Sequence, residues 1–315
     1  MAPRPFVQPF HPHDRKTTMS ARDLLPQPAL RGVDHTARPT WKLRETIEFY
    51  RDKLGLPLVH VISARGWGPA THPDFLHFFF DSGNGSTIAF FYYLGSDLPA
   101  TMQDRASKPP LPDDHVFDAT HTAWIVESAE ELQAWKQRLE AQGLNVSVET
   151  AHEVIESIYV RDPNGYFVEF TRKLRPLDRL DADDGALTLQ AALEAEDAAV
   201  QRGSRLARID DIWSAKARLL DERGGAGDRA GSAVAIYVPR LAEFSALVQD
   251  AAARPECRVT AAGDYDLIEA GQPMEFRRKA LGLKPAVWYG LFTGGVRGRI
   301  EVFDRDRVVI APARP

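Results

Sequence analysis

The chain has 315 residues, 44% hydrophobic and 26% charged, which is the composition of a folded globular protein long enough for two domains. Lys plus Arg number 39 against 44 Asp plus Glu, a formal charge of −5 that argues against nucleic acid as a partner, because phosphate binding needs a concentrated positive field. The longest apolar run, Ile88 to Leu94, is too short for a bilayer, so no membrane partner is expected, and the single Cys257 excludes an internal disulfide and a cysteine-based zinc site. A reducing, cytoplasmic setting fits that cysteine usage.

Residues 1–30 hold six prolines and no apolar segment. They read as an extended or disordered arm rather than a signal peptide. His11 and His13 in this arm have no third ligand nearby and read as surface histidines.

From Gly32 the chain repeats itself. Copy one opens with GVDHTARP (Gly32–Pro39) and copy two with DATHTAWIV (Asp118–Val126), each carrying His-Thr-Ala; His35 and His121 are 86 residues apart. An amphipathic helix follows each triplet. Leu43, Ile47, Tyr50 and Leu54 form its apolar stripe in copy one, with Gly55 ending it. In copy two the stripe is Leu132, Trp135 and Leu139, started by a Ser128/Glu131 capping box and ended by Gly143. Three strands then follow in each: Pro57–Ile62, Leu76–Asp81 and Thr87–Leu94 in the first, Val146–Thr150, Ser157–Arg161 and Tyr166–Arg172 in the second. Asp162-Pro163-Asn164-Gly165 is a turn signal, because Pro presets φ and Gly accepts a positive φ. The expected fold is α+β: paired βαβββ modules (32–95 and 117–173, within a domain 31–175) forming a metal-binding cup. Ser96 to Val116 connects them.

His35 and His121 occupy equivalent places on the first strands, and Glu169 lies on the last strand of copy two. Two imidazoles and one carboxylate make the facial triad of non-haem iron oxygenases, which leaves coordination positions open. The matching place in copy one, near Ala89, offers no ligand, so a closed four-ligand site is not expected.

The segments DHTARP…ETIEFYRDKLGLPLV, HTAWIV and DPNGYFVEF resemble the vicinal oxygen chelate superfamily, which includes glyoxalase I, bleomycin- and fosfomycin-resistance proteins and extradiol catechol dioxygenases. Within it, TAHEVIESIYVRDPNGYFVE (Thr150–Glu169) is similar to the extradiol ring-cleavage signature through His152, Ile158, Tyr159, Pro163, Gly165 and Glu169. The resemblance implies a non-haem Fe(II) enzyme, with Mn(II) as the other metal, that inserts O2 into a small catechol-like aromatic chelated at His35, His121 and Glu169. It gives Tyr159 a hydrogen bond to the bound substrate and His152 a place beside the pocket. The acid/base histidine of such enzymes would fall near Ser86, where none is present; His77 on the neighbouring strand is the best substitute, ahead of His60, His72 and His115. An aromatic lining is expected from Trp67, Phe78, Phe80, Phe91, Tyr93, Trp124 and Phe167. The competing readings are a Mn-dependent transferase of the fosfomycin-resistance kind and a metal-free small-molecule binding protein. A homo-oligomer is expected.

Residues 176–315 read as a C-terminal α+β domain. A charged linker Pro176–Gly185 leads to helices Leu187–Arg202 and Ile209–Glu222, and then to a unit resembling one more, degenerate βαβββ module. That unit is read as strand Ala233–Val238, helix Leu241–Ala253, strands Arg258–Ala262 and Asp264–Glu269, helix Met274–Leu281, and strands Ala286–Phe292 and Gly298–Asp304. Glu301 on its last strand has no histidine partners.

Overall fold

The computed structural model describes residues 32–66, 71–111, 119–224 and 233–313. The readings of the N-terminal arm, Trp67 and His115 fall outside them.

Module one is β1 (His35–Thr40), α1 (Leu43–Ile47, continuing through Glu48–Lys53 in a wider π winding), β2 (Leu58–Ala64), β3 (Phe75–Gly83) and β4 (Ser86–Tyr93). Module two repeats it: β5 (His121–Ile125), α2 (Ala129–Ala141), β6 (Thr150–Ala151), β7 (Ile155–Arg161) and β8 (Phe167–Lys173). The sheet orders are β1-β4-β3-β2 and β5-β8-β7-β6, and in each the first strand runs parallel to the last. The βαβββ reading of both copies therefore holds. Its one shortfall is Val146–Thr150, which contributes a single bridge from Val146 to Val160 before the two-residue β6.

Side chains alternate faces along a strand, and that alternation sorts the two copies. The even positions Phe78, Phe80, Ile88 and Phe90 join Phe49 and Tyr50 of α1 and Leu54 just after it. The even positions Ile158, Val160, Val168 and Phe170 join Leu132 and Leu139 of α2 in the same buried cluster. The two modules thus share one core. Polar groups fasten the seam. Tyr50 donates to Asp162 at 3.0 Å, Thr40 donates to Asn164 at 2.9 Å, and the Arg38 guanidinium hydrogen-bonds Thr122 and lies 5.0 Å from the Tyr166 ring centre. Phe78, Phe80 and Trp124, expected to line a cup, belong to this core side instead.

The odd positions face the other way. Sheet one presents His35, Phe79, His77 and Phe91 there; sheet two presents His121, Tyr159, Phe167 and Glu169. The turn joining β7 to β8 fixes the register of the second set. Asp162 accepts from the backbone N–H of Asn164 and of Tyr166, both at 2.9 Å, and Gly165 adopts φ +92°.

Beyond β8, α3 (Arg179–Gln201) starts earlier than its apolar stripe suggests, because Asp178 and Asp181 form a capping box inside the supposed linker. α4 (Ile209–Arg223) packs against it. β9 (Val234–Pro239), α5 (Ser245–Ala252), β10 (Arg258–Ala262), β11 (Tyr265–Ala270), β12 (Met274–Arg277), α6 (Pro285–Tyr289), β13 (Val296–Arg297), β14 (Arg299–Phe303) and β15 (Arg307–Ala311) follow. Two expectations invert here. Met274 and Phe276 alternate into the core opposite Ile310 and Val308, so the segment is a strand. Pro285 opens α6 as a first-turn proline, and Gly290 closes it. Nor is this unit a third module. Its larger sheet has the order β10-β11-β9-β13, and β9 is antiparallel to both neighbours. Arg299, not a histidine, pairs with Glu301. Among the described residues no helix is long and apolar enough to cross a membrane.

Candidate metal centre

Glu169 sits mid-β8, opposite Tyr159 on β7 and Ala123 on β5, and is 3% exposed. Its two oxygens have different company. Oε1 accepts from Ser157 Oγ at 2.5 Å and from Tyr159 Oη at 3.2 Å. Oε2 lies 3.0 Å from His121 Nε2. The Tyr159 hydroxyl is in turn 3.1 Å from His152 Nε2, so one hydrogen-bonded chain runs from His152 through Tyr159 to Glu169 and His121.

Burial alone would raise the Glu169 pKa. The His121 imidazole and the Ser157 and Tyr159 hydroxyls outweigh it and hold the carboxyl below its ordinary value. The Tyr159 phenol is pushed up to about 12, first by burial and then by the Glu169 charge, so near neutral pH it stays protonated and can donate.

His121 and Glu169 fit a divalent ion. Two donors about 2.1 Å from one ion and at right angles stand about 3.0 Å apart, the separation seen here between Nε2 and Oε2. A charged, well-oriented carboxylate beside an imidazole is also the right donor chemistry.

Of the three expected donors, the structure brings His121 and Glu169 within 3.0 Å of each other. Among the described residues no group of three His, Cys, Asp or Glu side chains stands close enough to hold an ion. His35 lies on the sheet-one face, edge-on to Phe79 at 5.8 Å between ring centres. Its Nδ1 is 2.7 Å from Asp34 Oδ1, the carboxylate-to-imidazole pairing that leaves Nε2 as the free lone pair. The even faces of both modules are buried together in the shared core.

Among the described residues His77 does not join His121 and Glu169 in a group that could hold a metal. It is buried on sheet one, its ring stacked 3.6 Å from Phe91 and 4.2 Å from Phe79. His60 lies 5.5 Å from Phe79, and His72 contacts Phe75 and Tyr93. The Ser86 hydroxyl meets Ser82 at 3.0 Å and closes the hairpin. Two residues missed from sequence matter here. Ser157 gives Glu169 its shortest hydrogen bond, and its even spacing from Glu169 was a usable signal. Arg161 donates to the carbonyls of Pro109, Gly165 and Leu111, strapping the inter-module connection beside Phe167; nothing local in the sequence marks that contact.

The model of the Glyoxalase/Bleomycin resistance protein/Dioxygenase superfamily matches residues 32–170. Among solved structures, a lactoylglutathione lyase from Agrobacterium tumefaciens is 23% identical, covers 46% of this chain and 95% of its own, and has a TM-score of 0.31. A glyoxalase/dioxygenase from Nostoc punctiforme is 16% identical over 50% of this chain and 100% of its own, with a TM-score of 0.34. A mutant fosfomycin resistance protein from Listeria monocytogenes, complexed with Mn(II) and 1S,2S-dihydroxypropylphosphonic acid, is 19% identical over 45% and 92%, with a TM-score of 0.31. A search of curated proteins returns no match. The family-model match spans both βαβββ modules as far as Phe170 of β8, and it covers less than half of the chain.

Proposed function

We propose that His121, Glu169 and His35 hold a divalent ion, and that the protein is a metal-dependent enzyme whose substrate reaches the ion through two neighbouring oxygens. Within that class the reading supported best is Fe(II)-dependent extradiol cleavage of a catechol or related phenol. The observation that carries it is the chain His152–Tyr159–Glu169–His121, which joins the signature residues in one hydrogen-bonded line ending on two donors 3.0 Å apart. The aromatic face of sheet one, with Phe79, Phe91 and Tyr93, supports a ring-shaped substrate.

The third donor is His35 of a second copy. His121 and His35 are both exposed at strands on sheet edges, and Leu58, Val59, Val61 and Ile125 are exposed apolar side chains on the same two sheets. Such surface favours association.

A bound ion would orient the substrate oxygens and carry charge between substrate and O2. The chain's own residues do the rest. Ser157 and Tyr159 hold Glu169 charged and aimed at His121. His152 fixes the Tyr159 hydroxyl. Phe79 and Phe91 keep the face of sheet one apolar.

One observation favours a second reading, the Mn-dependent transferase. The Tyr159 hydroxyl is spent on Glu169, where substrate-directed donation would leave it free.

Anaerobic loading with Fe(II), followed by a catechol panel in air, is expected to give O2 uptake and a yellow ring-fission product. Metal uptake without O2 consumption on any phenol would shift the assignment to the transferase. The second-copy donor has its own test. His35→Ala and Glu169→Gln are each expected to lose the ion, while a refolded equal mixture recovers about a quarter of the sites, because half the dimers are mixed and each has one intact centre. No recovery on mixing would place all three donors in one chain.

A further inference from the structure

The place of His152 bears on the hydrogen-bonded line that ends at Glu169 and His121, because its Nε2 stands 3.1 Å from the Tyr159 hydroxyl. His152 lies in the short turn between β6 and β7. Its backbone N–H donates to the Ile155 carbonyl at 2.8 Å, and the Val154 carbonyl accepts from the Leu174 N–H at 2.8 Å, so residues 152–155 form one tight, tethered turn. The next side chain, Glu153, leaves the site for the C-terminal unit. A methyl group built at Gly290, the residue that closes α6, would stand 3.0 Å from Glu153 Oε1, so the carboxyl lies against that glycine.

The charged groups facing Glu153 are Asp181 and Asp184 of α3, Glu243 just before α5, Arg175 just after β8 and Lys216 of α4. Both cations are committed elsewhere. Arg175 donates to Asp181 at 2.7 and 2.8 Å and to Glu243 at 2.7 Å. Lys216, fully buried, donates to Asp184 at 2.6 Å and to Thr188 and the Thr293 carbonyl, both at 2.7 Å. Tyr265 adds a donor to Asp184 at 2.7 Å. Glu153 is half-buried, and its carboxyl has no hydrogen-bond partner among the described residues. Charging it sets four carboxylates against two cations.

We propose that Glu153 is a positioning residue that links the C-terminal unit to the metal centre: uncharged, it packs on Gly290 and keeps His152 at Tyr159, and charged, it is repelled by Asp184, Asp181 and Glu243 and draws the turn, with His152, away from Tyr159. The consequence at the ion rests on the metal-site reading above; the coupling of Glu153 to His152 does not. Burial first, then the charges of Glu243 and Asp184, raise the carboxyl pKa, so the two states exchange above the ordinary carboxylate range. The one covalent change is loss of the carboxyl proton to water.

The test uses the full, metal-free chain with 15N-labelled histidine, its imidazole signals followed by NMR against pH. The His152 signal is identified as the one missing in His152→Gln. In the wild type it is expected to pass through a second inflection besides its own titration. Glu153→Gln, which keeps the shape and does not ionise, is expected to lose that inflection, and Glu153→Asp, which withdraws the charge from Gly290, to shift it toward the ordinary carboxylate range. The same inflection in Glu153→Gln, or none in the wild type, overturns the coupling. Urea unfolding gives an independent readout. A raised folded-state pKa costs stability once pH passes the unfolded-state value, and the cost is complete above the folded-state value. Glu153→Gln is therefore expected to gain on the wild type as pH rises, and a gap that shrinks overturns the crowding of carboxylates. A Mn(II) titration of the same wild-type sample keeps the two readings apart: no uptake overturns the metal site and with it the consequence at the ion, while the His152 signal decides on Glu153.

Discussion

Ser157→Ala isolates the support of the carboxylate without touching a donor to the metal. Ser157 is fully buried, and its hydroxyl gives Glu169 Oε1 a 2.5 Å hydrogen bond. A hydrogen bond to a charged group contributes about 1.5–3 kcal/mol. At about 1.36 kcal/mol per decade, that is about 10- to 100-fold in any equilibrium that needs the charged, oriented carboxylate. The loss of partners that orient metal ligands spans the same range, about 10- to 100-fold in affinity. The direction follows from the causes: with Ser157 gone, burial is opposed only by His121 and Tyr159, and the Glu169 pKa rises. The assay is competition for Mn(II) or Co(II) against a chromophoric chelator, with a melt in excess chelator to confirm folding. The expected result is a dissociation constant raised by about 10- to 100-fold at neutral pH, with a larger gap at acid pH. A folded variant with wild-type affinity would show that Glu169 is not a ligand.

Tyr159→Phe removes the contacts to His152 and Oε1 but leaves both metal donors. Turnover is expected to fall while metal stoichiometry in purified protein is unchanged; wild-type turnover would remove Tyr159 from the site's chemistry. Gly165→Ala places a side chain at φ +92° against Arg105 Cβ and the Arg105–Ala106 backbone, and a loss of at least about 2 kcal/mol is expected in denaturant unfolding. In metal-free protein the depressed Glu169 pKa stabilises the fold above the ordinary carboxylate range, and that stability is lost as pH falls through the folded-state value. The stability gap between wild type and Glu169→Gln is therefore expected to shrink on acidification; a gap that widens would contradict the assigned direction.

Much of this was legible in the sequence because the physics is local. The His-Thr-Ala repeat, the stripes of the helices and the Asp-Pro-Asn-Gly turn each act within a few residues, and they placed both modules and the odd face carrying His121, Tyr159 and Glu169. What failed depends on distant contacts. Nothing near His35 in the sequence shows that, among the described residues, it does not gather with His121 and Glu169 into one group of donors. Met274 to Arg277 lacks a strand's usual β-branched residues and becomes one because β15 lies beside it. The π winding of Glu48–Lys53 keeps Phe49 and Tyr50 in the core and has no sequence signature of its own.

Crystals grown with Mn(II) or Fe(II), measured at the absorption edge of the metal, test the central claim most directly. The account predicts an anomalous peak about 2.0–2.2 Å from both His121 Nε2 and Glu169 Oε2, with a His35 imidazole completing the set from a neighbouring copy. Fully loaded protein with no peak between His121 and Glu169, or with the ion held by other residues, would contradict it.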